Sequence, residues 1–368
     1  PAASMRMALA EALCNMSGVY IKGLDEVQVS ANWMAATGEE VEDLSLREGV
    51  EALSKCCVDL DVSVPVGKDS LSMRTKWNEG SEELTVKSPL SGIITAMAPV
   101  DDVTVSVTPE LKINHDSQLL FVRLNDEKRL AGSIFSEVTK SDFSDTPDID
   151  DMSLFKKMFV SIQDLISKKM VLALHDISDG GLIISLLEMA FTKKVGLEIL
   201  IDSLDERNLN ENLFAEEIGF VIQVQDENID KVIKSLSSNN ILVNCIGKVS
   251  GSDGFSISNS NKELFNESVT KLEKHWREVS HAIQASRDNQ SIADSELDLL
   301  EDKTHSGLFA EESFDEKIFE TFNIKQSKPK VAILREQGVN GQMEMAAAFT
   351  LAGFDAVDVH MQDLLDDN

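Results

Sequence analysis

VLALHDISDGGLIISLLEMAF, residues Val171 to Phe191, decides how this chain is read. Val171 to Leu174 is a short apolar run suited to a buried strand, and Leu182 to Phe191 is apolar at helical spacing without Gly or Pro, so a helix is predicted there. Between them lie His175, Asp176, Ser178, Asp179, Gly180 and Gly181. A strand that stops at a polar, Gly-rich turn and re-enters a helix aims free backbone N–H groups at one spot, which favours an anion such as phosphate. Two carboxylates in such a turn can face a phosphate only with a cation between them. Mg²⁺ fits, because it takes carboxylate oxygens together with phosphate oxygens. The turn therefore points to a Mg-nucleotide site. The plainer reading is an ordinary strand-to-helix turn in which Asp179 caps the helix.

Upstream, Met5, Leu9, Ala12, Leu13 and Met16 form a helical stripe. Glu11 and Asn15 sit four apart on that helix, hence on one face and about 5–6 Å from each other. A carboxylate and an amide oxygen so placed can grip one hard cation; the plainer alternative is the solvated edge of an amphipathic helix. Val27 to Trp33 alternates as a strand does, and Leu44 to Leu60 is a predicted helix with Cys56 and Cys57 facing the core. Val62 to Val66 is a strand that stops at Gly67-Lys68-Asp69-Ser70. This is not a P-loop, since Val62 stands where the first Gly belongs and Asp69 follows the lysine, although a strand-end GKDS could line a polar pocket. Leu90 to Val100 is a further strand, with Thr85 to Pro89 a candidate for the same sheet.

Thr108-Pro109 and the polar run to Ser117 mark a junction. Beyond it strands are predicted at Leu119–Leu124, Leu197–Ile201, Gly219–Val224 and Val243–Val249, with Phe255–Ile257 closing the sheet. Helices are predicted at Leu154–Lys168, Leu209–Glu217 and Ile229–Ser237, and Ser141–Asp151 is a surface loop. The mixture suggests α+β architecture with helices on one sheet face. Glu267 to Gln284 reads as a helix with Trp276 buried, and the acidic, Ser/Asn-rich stretch Ala285 to Ser327 as a linker. Lys330–Leu334, Glu344–Ala352 with Gly353 as its cap, and Ala356–Val359 open a doubly wound parallel α/β domain.

The chain has 368 residues, 42% apolar and 27% charged, with a formal net charge of −30 and a pI near 4.5. That length suggests two or three domains. Such acidity repels nucleic acid and anionic membrane, so neither is expected as a partner. An anion site must then be built locally from metal and backbone N–H groups. Cys14, Cys56, Cys57 and Cys245 show no metal-ligand spacing and read as reduced thiols of a cytoplasmic protein. No apolar run approaches the roughly 18 residues of a membrane span. His115, His275, His281, His305 and His360 read as surface or core residues. The chain starts at Pro1 with a helix under way and stops just after a βαβ pattern begins, which suggests a piece of a longer polypeptide.

Six blocks resemble one family: ALAEALCN (8–15), SANWMAA (30–36), VPVGKDSLSMRTKW (64–77), SPLSGIITA (88–96), LALHDISDGGLIISLLEMAF (172–191) and KPKVAILREQGVNGQMEMAAAFTLAGFDAVDVHM (328–361). In that order they are similar to the large, single-chain phosphoribosylformylglycinamidine synthases, also called formylglycinamide ribonucleotide amidotransferases. The resemblance implies an α/β (α+β) fold. Residues 1–112 would be the N-terminal module of a second aminoimidazole-ribonucleotide-synthetase-like unit and 113–284 its C-terminal module. A linker, 285–327, would lead into a class I glutaminase domain at 328–368. It further implies a ligase of de novo purine synthesis, which uses ATP and glutamine to convert formylglycinamide ribonucleotide to formylglycinamidine ribonucleotide. ATP would turn the amide oxygen into an iminophosphate, and ammonia would displace phosphate.

Residue by residue, Glu11, Asn15 and Asp176 match the family's Mg²⁺ ligands and Ser178 a nucleotide contact, so Mg²⁺ and ATP or ADP are the expected cofactors. Lys68 and Asp69 fall in a family block without an assigned role. In the family this second nucleotide site is auxiliary and holds its nucleotide tightly. The glutaminase Cys, His and Glu would lie beyond Asn368, and the first synthetase copy before Pro1. No catalytic residue is thus assigned within the chain, which alone is expected to be inactive. The expected partners are ATP, formylglycinamide ribonucleotide and glutamine, reached through the rest of its own polypeptide. The alternative is a structural Mg-nucleotide-binding module without turnover. Aminoimidazole ribonucleotide synthetase and selenophosphate synthetase share the fold but do not continue into a start such as KPKVAILREQGVN.

Overall fold

A computed structural model describes residues 1–302 except 203, 205–208 and 261, then 304, 305, 307, 308, 311 and 313, and 328–366 except 337. Two compact units are present, Pro1–Lys303 and Thr304–Asn368. The first opens with α1 (Ala2–Asn15), β1 (Gln28–Met34), α2 (Glu40–Leu60), β2 (Ser63–Ser70), β3 (Arg74–Glu79), β4 (Glu82–Lys87) and β5 (Ser91–Met97). It continues with β6 (Ser117–Arg123), α3 (Ile134–Thr139), α4 (Met152–Ser167), β7 (Ala173–Asp176), α5 (Gly181–Phe191), β8 (Leu197–Leu200) and α6 (Leu209–Phe214). Then follow β9 (Gly219–Gln225), α7 (Ile229–Ser237), β10 (Leu242–Val249), β11 (Gly254–Asn259), β12 (Lys262–Ser268), α8 (Val269–Arg287) and α9 (Gln290–Asp298).

Among the described residues the early strands form a three-stranded sheet of order β2-β1-β5, with β1 parallel to β2 and antiparallel to β5. β3 and β4 make a separate hairpin, turned by Gly80 at φ +66°. The later strands make a seven-stranded sheet of order β12-β11-β8-β10-β6-β9-β7. Alternate residues of its central strands point to opposite faces, as strand geometry requires. Leu120, Val122, Phe220 and Ile222 join a core with Phe155, Met158 and Phe159 of α4, whereas Leu119, Phe121 and Val221 join another with Leu182 and Leu186 of α5.

The first of these cores also takes Met5, Leu9 and Leu13 of α1 and Cys56, Cys57 and Leu60 of α2. One continuous apolar interior therefore runs from the first sheet to the second. Each of its fully buried Leu and Phe side chains contributes about 1.5–3 kcal/mol. That interior fixes α1 over β7, the strand that leads into the HDISDGG turn.

Several expectations are corrected. Helices cover both faces of the large sheet, because its central strands are apolar on both sides. β2 runs through Gly67-Lys68-Asp69-Ser70 rather than stopping at Val66, since Asn32, Trp33 and Met34 of β1 pair with Lys68, Asp69 and Ser70. Thr85 belongs to the β3–β4 hairpin and not to the sheet of β5. β12 lies beyond Phe255–Ile257 as the sheet's edge. Trp276 is half exposed, its ring tilted 53° to that of Phe191 with centroids 5.8 Å apart. The expected linker holds α9, packed on α8, and its residues 314–327 lie outside those described.

In the second unit β13 (Lys330–Arg335) pairs in parallel with β14 (Asp355–His360), with α10 (Gln342–Leu351) between them and α11 (Met361–Leu365) after. Gly353 follows α10 at φ +95°, the left-handed stop the sequence calls for. Among the described residues no helix is long and apolar enough to cross a membrane.

Candidate functional site

β7 ends at Asp176 and α5 begins at Gly181, so His175 and Asp176 belong to the strand and not to the turn. Gly180 lies at φ +83° and Gly181 at φ +72°. A Cβ at 181 would stand 2.7 Å from the Phe214 carbonyl carbon, and one at 180 would meet the Ile184 side chain. Conformation and space thus both require glycine here. Gly180 is the N-cap of α5 and no side chain bonds the cap, so Asp179 is not the cap that the plainer reading proposes. The first-turn N–H groups of α5 have no helix carbonyl to reach, and the Gly180 N–H just before them donates to Glu216 Oε1 (2.8 Å). Gly181 N–H donates to Ser178 C=O (2.9 Å), and the buried Ser185 Oγ donates to Asp176 C=O (3.0 Å), which locks helix to strand end.

A cleft of about 250 Å³ lies in front of this turn, with Glu11, Ser178, Asp179, Glu216, Gly132 and Thr146 in its lining. Asp176 is buried behind it, 7% exposed, and acts electrostatically on both Glu11 and the buried Cys14 of α1. The Glu11 carboxyl is raised, first by desolvation and then by repulsion from Asp179, Asp176 and Glu216. Glu216 is raised by burial, against hydrogen bonds from Gly180 and Ile134 that lower it. Burial would lower the His175 imidazole, but its bonds to Asp176 and Glu188 prevail and push it up to about 10. Its Nδ1 lies 2.7 Å from the Asp176 carbonyl oxygen and its Nε2 3.1 Å from Glu188 Oε2.

Of the four residues singled out by sequence, Glu11 and Ser178 line the cleft and Asp176 stands behind them. Asn15 is exposed at the last residue of α1 and is not in the lining. Among the described residues no three His, Cys, Asp or Glu groups form a ready-made metal cage. Glu11 and Glu216, each raised by burial and by neighbouring carboxylates, nevertheless lack a positive charge beside them among the described residues. An all-oxygen, incomplete donor set suits Mg²⁺, which usually keeps waters and phosphate oxygens alongside one or two carboxylates. Lys68 and Asp69 lie exposed on β2, and Lys68 Nζ donates to Ser70 Oγ (2.6 Å). Sequence reasoning missed Glu216; the acidic pair Glu216-Glu217 just before an apolar strand was its faint signal. Two much larger clefts, about 680 and 580 Å³, lie beside the Arg6–Asp148 pair and across β6, β8, β10 and β11. Neither includes the turn.

Three family models match the chain. Residues 1–99 match the FGAR-AT PurM N-like domain, 120–258 the C-terminal domain of AIR-synthase-related proteins, and 328–368 the CobB/CobQ-like glutamine amidotransferase domain. Phosphoribosylformylglycinamidine synthase of Schizosaccharomyces pombe is 43% identical over 99% of this chain, which spans 28% of that relative's length. Among solved structures, T. maritima PurL complexed with ATP superposes with a TM-score of 0.56 at 10% identity, over 74% of this chain and 41% of that one. T. maritima PurL complexed with FGAR gives 0.51 at 12% identity, over 73% and 44%. These likenesses show the fold. With 43% identity along 99% of its residues, and with its three matched domains in sequence order, the chain belongs to the phosphoribosylformylglycinamidine synthase family.

Proposed function

We propose that the chain supplies a Mg-nucleotide-binding portion of a cytoplasmic, ATP- and glutamine-dependent ligase. The whole protein would convert formylglycinamide ribonucleotide to formylglycinamidine ribonucleotide in purine synthesis. Residues 1–112 and 113–284 would be its synthetase-like modules, 285–327 a linker and 328–368 the start of its glutaminase. The supporting observation is the gathering of Glu11, Asp176, Asp179 and Glu216 around the start of α5, from segments far apart in sequence. PurL, of the same fold, has been seen with ATP, ADP and FGAR.

In this reading Glu11, Asn15 and Asp176 would hold Mg²⁺, and Ser178 would contact the nucleotide. Bound there, Mg²⁺ would neutralise phosphate charge. First-turn N–H groups of α5 beyond Gly181 would meet the phosphate oxygens, and Gly180 and Gly181 let the backbone come close. His175 orients Asp176 from behind. The bridging of nucleotide to protein through these donors explains how a chain of net charge −30 could hold an anion. The test is to make Glu11→Ala and Asp176→Ala in the whole protein and to measure the nucleotide retained through purification. Both should lose it. Unchanged nucleotide content in both variants would overturn the assignment. Retained nucleotide without turnover of label would instead favour a structural role for it.

A further inference from the structure

We propose that Glu216 is a positioning residue of the nucleotide site: its carboxylate ties the Ser178–Gly181 turn to the start of α3. The inference rests on the Mg-nucleotide reading above. Glu216 Oε1 accepts hydrogen bonds from Gly180 N–H at 2.8 Å and from Ile134 N–H at 2.9 Å. These amides are 36 and 82 positions from Glu216 in sequence, so one oxygen holds together two segments that share no sheet register. Gly180 precedes α5 and Ile134 is the first residue of α3. Neither N–H has a helix carbonyl to reach, and Glu216 gives both an acceptor.

The side chain is itself held in place. Its neighbour Glu217 accepts from Arg129 Nε at 2.7 Å, from Arg129 Nη2 at 2.9 Å and from the Arg129 backbone N–H at 3.1 Å. Arg129 and Glu217 are both largely buried, 14% and 12% exposed at their side chains. That clasp anchors the backbone, so Glu216 has little freedom to swing away. Ser133 caps α3 by accepting from Ser136 N–H at 3.2 Å, which fixes the other end of the strut. Gly132 of this segment, Ser178 and Asp179 of the turn, and Glu216 itself all line one cleft. By bonding both Gly180 and Ile134, Glu216 holds the two segments of that lining in register.

Geometry asks of Glu216 an acceptor oxygen rather than a charge. Glutamine offers the same oxygen at the same reach, and alanine offers none. In the whole protein, Glu216→Gln should retain ADP close to the wild-type level. Glu216→Ala should weaken Mg-ADP binding by about 10- to 100-fold, the usual loss for residues that orient a metal or phosphate site from behind. The readouts are ADP retained through purification and the Kd for Mg-ADP by calorimetry on nucleotide-stripped protein, with Asp176→Ala as the control. Rescue by glutamine separates positioning from ligation. Equal losses in Gln and Ala would make the charge essential and overturn the proposal, as would full binding by Ala. If Glu216→Ala does not fold, Glu216→Gln alone decides, by keeping or losing ADP. If Asp176→Ala binds normally, the nucleotide reading itself fails and takes the proposal with it. If only the Glu216 variants are silent, the site stands and the strut falls.

Discussion

Gln163 of α4 and Ile21, 142 positions apart, are joined by a hydrogen bond from Ile21 N–H to the Gln163 side-chain oxygen at 3.0 Å. Gln163 Nε2 in turn donates to Ser17 C=O at 2.9 Å, and Gln163 is 6% exposed. One buried side chain thus secures the backbone that follows α1, and with it the height of Glu11 over the turn. Gln163→Leu keeps the volume but leaves a buried N–H and a buried C=O unpaired. Each costs about 1–3 kcal/mol, so unfolding free energy should fall by about 2–6 kcal/mol, read as a lower denaturant midpoint. An unchanged midpoint would mean that the apolar stripe alone holds α1.

The two turn glycines should respond unequally to alanine. At Gly181 the new Cβ meets Phe214 and Ala215 backbone, at Gly180 only the Ile184 side chain. Backbone cannot yield, whereas a side chain can change rotamer. Both variants bear the left-handed penalty of about 1–2 kcal/mol; Gly181→Ala adds overpacking of about 1–3 kcal/mol. Thermal unfolding should rank Gly181→Ala clearly below Gly180→Ala, and the reverse order would contradict the packing described.

Much of this was legible in the sequence, for local reasons. The 171–191 stretch carries its strand, turn and helix in its own periodicity, and Ile229–Ser237 likewise. The second unit's β-α-β was announced by two apolar runs and Gly353. What escaped depends on distant partners. β2 continues through Gly67-Lys68-Asp69-Ser70 only because β1 pairs with it. β12 is exposed along most of its length, so no apolar alternation betrays it. The helix pattern of Glu267–Gln284 places Trp276 inside, yet α8 leaves it half exposed. Glu216 acts through backbone N–H groups, and no residue pattern records which carboxylate will find an orphaned amide. Glu11 and Asp176 were singled out by motif; their mutual field, with Asp179, only coordinates could display.

The Arg6–Asp148 pair should shape acid stability. Arg6 Nε and Nη2 each donate to an Asp148 carboxylate oxygen at 2.6 Å. Burial would raise the Asp148 carboxyl, but the Arg6 bonds and the Ile149 N–H outweigh it and hold it below the usual carboxylate range. A depressed carboxyl stabilises fully above its unfolded value, about 4, and loses that contribution as pH falls through its lower folded value. Asp148→Asn should therefore be less stable than wild type at neutral pH. The gap should close as pH drops below about 4, measured by denaturant unfolding across pH. A gap that stayed constant into acid would assign the loss to packing, not charge.

Glu11 should trade stability against binding. Its carboxyl is raised by desolvation and by repulsion from Asp179, Asp176 and Glu216, so its charged form is disfavoured in the folded, cation-free state at neutral pH. Glu11→Gln removes that repulsion. Because Glu11 is exposed to solvent, screening holds the gain to on the order of 0.5 kcal/mol. With chelator present, the variant should unfold slightly later than wild type. Saturating Mg-ADP should reverse the order, because ligand that binds the folded state at 100 times its Kd adds about 2.7 kcal/mol. Only the wild type would gain that in full. Thermal midpoints in chelator and in Mg-ADP measure both arms. A Glu11→Gln protein that gains as much from Mg-ADP as wild type would remove Glu11 from the cation's ligands, whatever its effect in chelator.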